Sequence, residues 1–154
     1  MTSTYELYRR AGTRPLGRKA FSLAYMLKAP YFASVRPQVI EMREHRAVVQ
    51  IRKRRAVQNH IGTVHAIAVA NGMEAAMGLL AEATTPSGMR WIPKGIQLEY
   101  VAKATSDVRC VAETDAGDWA HEPPFQVDVR CTGVLADGTE VVRGTIPIWV
   151  TAKK

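Results

Sequence analysis

The residues with the clearest chemical potential are Asn59-His60-Ile61-Gly62-Thr63-Val64-His65, followed by Glu74 nine positions after His65. Thr63 suits a helix N-cap, and Gly62 lets the chain turn into it. A helix starting there presents unpaired backbone N–H groups and a partial positive charge, which suit a developing oxyanion. The N–H groups around His65 and Ala66 are the candidates, and Asn59 can hold a water or a carbonyl oxygen. From Val64 to Ala81, Glu74 is the only fully charged side chain. Its helical neighbours Ala70, Asn71, Met77 and Gly78 offer no cation. A lone carboxylate on an Ala-rich helix is costly to bury. Buried, its pKa would rise and suit a general base. Exposed, it is a solvated charge or the partner of a distant Arg or Lys. The residues alone leave both open. His65 reads as a hydrogen-bonding structural histidine. His45, His60 and His121 are scattered with no metal-ligand spacing, so no metal is expected.

These residues need elements to hold them. Val64 to Ala83 is rich in Ala, Met and Leu, lacks proline and has almost no β-branched residue after Val69, a helical composition. Its many small residues let other backbone approach closely, so cover on more than one face is expected. Val69, Met73, Met77, Leu80 and Trp91 are candidates for a pocket lining, although such residues more commonly pack a core. Upstream, the first dozen residues read as polar and loose. From Pro15 to Leu27, the pattern Leu16, Phe21, Leu23, Ala24, Leu27 predicts a short amphipathic helix, ended by Pro30. Val39, Ile40 and Met42 lead into the turn Arg43-Glu44-His45-Arg46, and Ala47, Val49 and Ile51 continue with strand period. After Thr84-Thr85-Pro86-Ser87-Gly88 everything reads as strand. Alternation runs over 96–101, 108–113 and 125–132, and Val142, Ile146, Ile148 and Val150 close the chain. Asp137-Gly138 is a hairpin turn, since Gly accepts the positive φ required. Helix, hairpin, long helix and four-stranded meander imply an α+β fold, with a sheet of about six strands around one central helix. Edge strands would need cover, and a homodimer at least is expected.

With 154 residues, the chain fits one cored domain, here 15–154 after a polar segment 1–14. No apolar stretch of about 18 residues occurs, so neither a spanning helix nor a membrane partner is expected. The N-terminus lacks a signal pattern and the two cysteines lack metal or scaffold spacing. Reduced core thiols in a cytoplasmic protein are the expectation. The net charge of +7 speaks to partners, not fold. Arg9, Arg10, Arg14, Arg18 and Lys19 form one basic cluster and Arg52-Lys53-Arg54-Arg55 another. Each taken alone is an ordinary solvated face. No aromatic residues interleave with them, so a nucleic-acid platform is not expected.

At Asn59, Gly62-Thr63-Val64-His65 and Glu74 the sequence resembles the hotdog-fold acyl-CoA thioesterases, specifically the phenylacetate-type enzymes and a related group of uncharacterised hotdog domains. Their pattern is an Asn, then Gly-Thr-(aliphatic)-His-Gly-Gly, then an Asp or Glu nine residues after the His. Gly95 to Val101 resembles the strand that follows their helix, and the resemblance spans about residues 35 to 151. It implies a hotdog fold with active sites at a dimer interface, in a dimer or a dimer of dimers. Glu74 would be general base or nucleophile and Asn59 would position the water or the carbonyl. The Ala66 N–H would polarise the thioester oxygen, with His65 shaping that loop, and Gly62, Thr63 and Ile67 would contact the substrate. Coenzyme A would enter only as part of the substrate, with no separate cofactor. Arg52, Arg54 and Lys94 are assigned to its phosphates on charge alone. Two positions depart from the pattern. Ala66-Ile67 replaces Gly-Gly, keeping an N–H but adding the bulk of Ile67 to the expected pocket. Pro93-Lys94 stands where many relatives place a Ser or Thr facing the acid from the partner subunit. A non-catalytic protein binding acyl-CoA or another acyl ligand is therefore the alternative, and hydration of acyl thioesters a further one.

Overall fold

The computed structural model describes residues 3–12 and 14–153. The first helix, α1 (Thr4–Ala11), occupies a stretch expected to be loose. Ser3 caps it reciprocally: its Oγ accepts from the Glu6 N–H at 3.1 Å, and Glu6 Oε2 accepts from the Ser3 N–H at 3.0 Å. This pairing satisfies two orphan donors. Tyr8 then packs edge-on to Phe21, with centroids 5.1 Å apart. Helix α2 (Pro15–Lys28) begins with proline at its first turn and ends just before Pro30, as the sequence predicts. Its apolar pattern is used differently from expectation. Phe21, Ser22 and Tyr25 are buried, whereas Leu16, Leu23 and Leu27 face out, at 81%, 57% and 74% exposure. Polar groups fix that choice: Ser22 Oγ accepts from the Val39 N–H at 2.9 Å, and Tyr25 Oη donates to the Ala75 carbonyl at 3.3 Å. A 3₁₀ turn over Pro30–Ser34 follows.

The hairpin β1 (Gln38–Arg43) and β2 (Arg46–Ile51) turns through Glu44 and His45, with His45 at φ 63°. After the long helix α3 (Ala66–Thr84) come β3 (Met89–Pro93), β4 (Gln97–Tyr100), β5 (Val108–Glu113), β6 (Phe125–Val134) and β7 (Glu140–Ala152). The sheet is antiparallel, in the order β1-β2-β5-β6-β7-β3, and β4 also pairs with β7. The seven strands exceed the expected six because two short strands share one edge of β7. β3 lies along Ile148–Ala152 and β4 along Val142–Thr145. The β6–β7 hairpin turns at Gly138, φ 89°, as Asp137-Gly138 predicts.

The sheet curls around α3, which lies chiefly against β2 and β5. Two glycines permit that approach. A Cβ on Gly72 would sit 2.7 Å from both Cys110 Sγ and Ile51 Cγ1, and one on Gly133 would sit 2.8 Å from Met73 Cε. Twelve of the 19 residues of α3 are buried, so the helix is core on nearly every side.

Two consequences can be measured. Gly72→Ala gains about 1 kcal/mol of helix propensity but overpacks a filled interior, at about 1–3 kcal/mol. A lower urea midpoint with unchanged slope is expected. Burial also pushes the Cys131 thiol up to about 12, and raises the Cys110 thiol and the Tyr25 phenol. The unfolded chain would release these protons first, at about 8.5 for thiols and about 10 for the phenol. Their contribution to stability is therefore complete below about pH 8.5 and declines as pH rises toward 12. Denaturation at pH 8 and pH 10.5 should show that fall, with a smaller one in Cys110→Ala/Cys131→Ala.

Candidate functional site

The turn into α3 is a small hydrogen-bonded knot. Asn59 Oδ1 accepts from the N–H groups of Ile61 and Thr63, at 3.2 and 3.1 Å, and its Nδ2 donates to Thr63 Oγ1 at 2.8 Å. Gly62 adopts φ 78°, which favours glycine. The His65 N–H donates to Val57 O and the Val64 N–H to Ala104 O, pinning the segment on both sides. Thr63, expected to cap the helix, is thus taken up by Asn59. The cap is His65, whose Nδ1 accepts from the Ile67 N–H at 3.1 Å. With Nδ1 accepting, the ring nitrogen left to donate is Nε2. The Ala66 N–H has no acceptor among the described residues. It borders a cavity of about 170 Å³ that also touches Asn59, Thr63, Tyr100 and Lys103. Tyr100 Oη donates to the Ala66 carbonyl at 3.2 Å. Ile67, expected to crowd a pocket, points outward at 60% exposure.

Glu74 lies elsewhere. Between Ala68 and Ala81 it is the one exposed residue of α3, and its carboxylate joins no ion pair among the described residues. It borders a largely apolar cleft of about 430 Å³. One wall is Tyr25 and Phe32, whose rings stack at 5.3 Å. Trp91 and Pro93 border the cleft from β3, and Met77 and Gly78 from α3. Burial, aided by the negative charges of Glu82 and Glu74, holds the Tyr25 phenol above its usual range, so it stays a neutral donor. Of the expected pocket residues, Met77 and Trp91 reach this cleft and Val69 borders the cavity beside Ala66, whereas Met73 and Leu80 are core. Tyr25 and Phe32 were not singled out in the sequence, although Pro30 next to aromatic residues marked where the chain turns back.

The loop and the carboxylate are not brought together within one chain. Ala66 and Glu74 are eight residues apart on one helix, about 12 Å by its rise. The expected coenzyme A contacts are also dispersed. Arg54 Nη2 donates to the Ser34 carbonyl at 2.8 Å, tying the loop after β2 to the turn after α2. Arg52 is exposed at the end of β2, and Lys94 is exposed next to cleft-lining Pro93. No group of three His, Cys, Asp or Glu side chains among the described residues could hold a metal ion.

Residues 17–150 match a protein family described as "Domain of unknown function (DUF4442)". The chain belongs to the DUF4442 family. A crystal structure from a genomics project is 40% identical, with a TM-score of 0.83, covering 97% of this chain and 98% of that one. A Pseudomonas aeruginosa protein of unknown function, named as a probable thioesterase, is 16% identical with a TM-score of 0.75, covering 84% and 91% of the two chains. A thioesterase family protein from Silicibacter pomeroyi is 15% identical with a TM-score of 0.70, covering 86% and 96%. This DUF4442 chain thus has the hotdog fold that its motif resemblance implied. No curated protein matches the sequence.

The cap can be tested directly. His65→Ala removes the acceptor for the Ile67 N–H and should cost about 1 kcal/mol. His65→Asn restores a capping oxygen and should recover most of the loss in thermal unfolding.

Proposed function

We propose that this protein is an acyl-CoA thioester hydrolase that works as a homodimer. The observation that carries this reading is Glu74, an unpaired carboxylate opening onto an apolar cleft from a helix otherwise buried around it. In the proposed reaction, Glu74 takes a proton from water as the water oxygen bonds to the thioester carbon. The carbonyl oxygen becomes an oxyanion beside the unpaired Ala66 N–H. The intermediate collapses, the C–S bond breaks, and the thiolate leaves as coenzyme A and takes up a proton. A carboxylic acid is the second product. Asn59 acts here as a positioning residue, because both ends of its amide hold the loop that presents that N–H.

The dimer follows from reach. A reacting carbon must lie about 3 Å from both base and oxyanion donor, and one helix holds them about 12 Å apart. A second copy can supply the donor. The edge formed by β3 and β4 suits such pairing, since Ile92, Ile96 and Tyr100 are exposed there and Ile61 and Ile67 are exposed near the start of α3. Exposed apolar strand edges favour pairing with another chain.

One observation favours a second reading, binding of acyl-CoA without turnover. Pro93-Lys94, in the region where many relatives carry a hydroxyl, has none, and Pro93 borders the cleft. The two separate in one experiment. Under hydrolysis, Glu74→Gln lowers thiol release by about 10²–10⁴ while the protein stays folded and dimeric by sedimentation. Full activity in the variant would refute Glu74 as the base, and no release from any acyl-CoA in the wild type would favour the binding reading.

A further inference from the structure

The cleft beside Glu74 has a length as well as a lining. Glu74 and Glu82 both border it, eight residues and about 12 Å apart along α3. Between them Gly78, itself buried, lets Tyr25 and Trp91 close on the helix and narrow the middle of the cleft. A Cβ there would lie 3.2 Å from Tyr25 Oη and 3.6 Å from Trp91 Cη2. The far end meets an ion pair, Lys28 Nζ to Glu82 Oε2 at 3.7 Å, and Lys28 also donates to Thr4 Oγ1 at 2.8 Å. The trench therefore has a carboxylate at one end, aromatic walls along its middle and a charged stop at the other.

We propose that this trench selects linear, apolar acyl groups of about eight to ten carbons, with the carbonyl at Glu74 and the methyl end at the Lys28–Glu82 pair. The proposal rests on the thioester reading of the same site. An extended chain advances about 1.3 Å per carbon–carbon bond of ordinary length, so 12 Å holds about nine bonds. The stop works by geometry, since both its side chains are solvated and the pair itself is weak. Methylenes inside the trench leave water, and those beyond the pair return to it. Each buried methylene is worth about fourfold in binding. The chain contributes the stop from its N-terminal helices, because Lys28 and the Tyr25–Phe32 wall belong to α2 and the turn that follows it.

The test is a series of saturated acyl-CoA esters from four to sixteen carbons, assayed for kcat/KM on the intact protein. The matching non-hydrolysable thioethers are titrated by calorimetry. Affinity and kcat/KM should climb about fourfold per methylene and level off at eight to ten carbons. Glu82→Ala and Lys28→Ala, which shorten the stop from either side, should move the break to longer chains. Gly78→Ala, whose Cβ would press on Tyr25 and Trp91, should displace those walls and weaken every chain that reaches past them. Turnover that depends on Glu74 but shows no break with chain length would overturn the trench and leave the hydrolase standing. A break in thioether affinity with no turnover would uphold the trench and remove the hydrolase. A break that stays in place in both end variants would overturn the charged stop.

Discussion

Burial of α3 is the constraint on which the rest of this structure depends. A 19-residue helix can sit inside a curled sheet only if backbone and side chains approach closely on several sides. Gly72 against Cys110 and Ile51, and Gly133 against Met73, provide that approach. Packing at this density leaves no room for one more carbon at those points. The same constraint explains the alanines of the helix and the two buried thiols. It also explains why a carboxylate in mid-helix must point away from the core, here into the cleft. The cleft exists because α2 and the turn after it stop short of closing over Glu74.

The start of the helix obeys a different rule. Its donors have no partners from the helix itself, so they must be met by side chains or left for a ligand. His65 meets one, at the Ile67 N–H, and leaves the Ala66 N–H unpaired. Asn59 and Thr63 are locked to each other and so cannot drift into the role of cap. The knot keeps a donor available at one end of α3 while the carboxylate waits about 12 Å away. Under the proposed hydrolysis, each chain would carry two half-sites that a second chain joins.

Much of this was legible in the sequence. Strand alternation located the β1–β2 hairpin and β4 to β7 but not β3, and composition located α3, because period and propensity are local properties. The turn at Asp137-Gly138 follows from one residue's freedom at positive φ. What failed were choices between faces and partners. Leu16, Leu23 and Leu27 have helical spacing, yet hydrogen bonds from Ser22 and Tyr25 turn the other face inward. Thr63 is a good N-cap by type, but Asn59 competes for its hydroxyl and the helix starts two residues later at His65. Ser3 and Glu6 spell a capping box ahead of α1, a signal present in the sequence of a segment read as loose. The spacing of Asn59, His65 and Glu74 was visible. The cleft was not, because Tyr25, Phe32 and Trp91 meet only through the tertiary fold.

The near-complete enclosure of α3 has an evolutionary reading. Between Ala68 and Ala81 almost every position is held by its neighbours, so substitutions there are filtered by folding before function is ever tested. Position 74 alone is exempt, since its side chain fills no space that another residue needs. Drift should be fastest at such a site in a lineage that has no use for a carboxylate. Whether descendants of this chain keep an acid there is thus a record of selection on chemistry, free of the packing signal that obscures it at every neighbouring position.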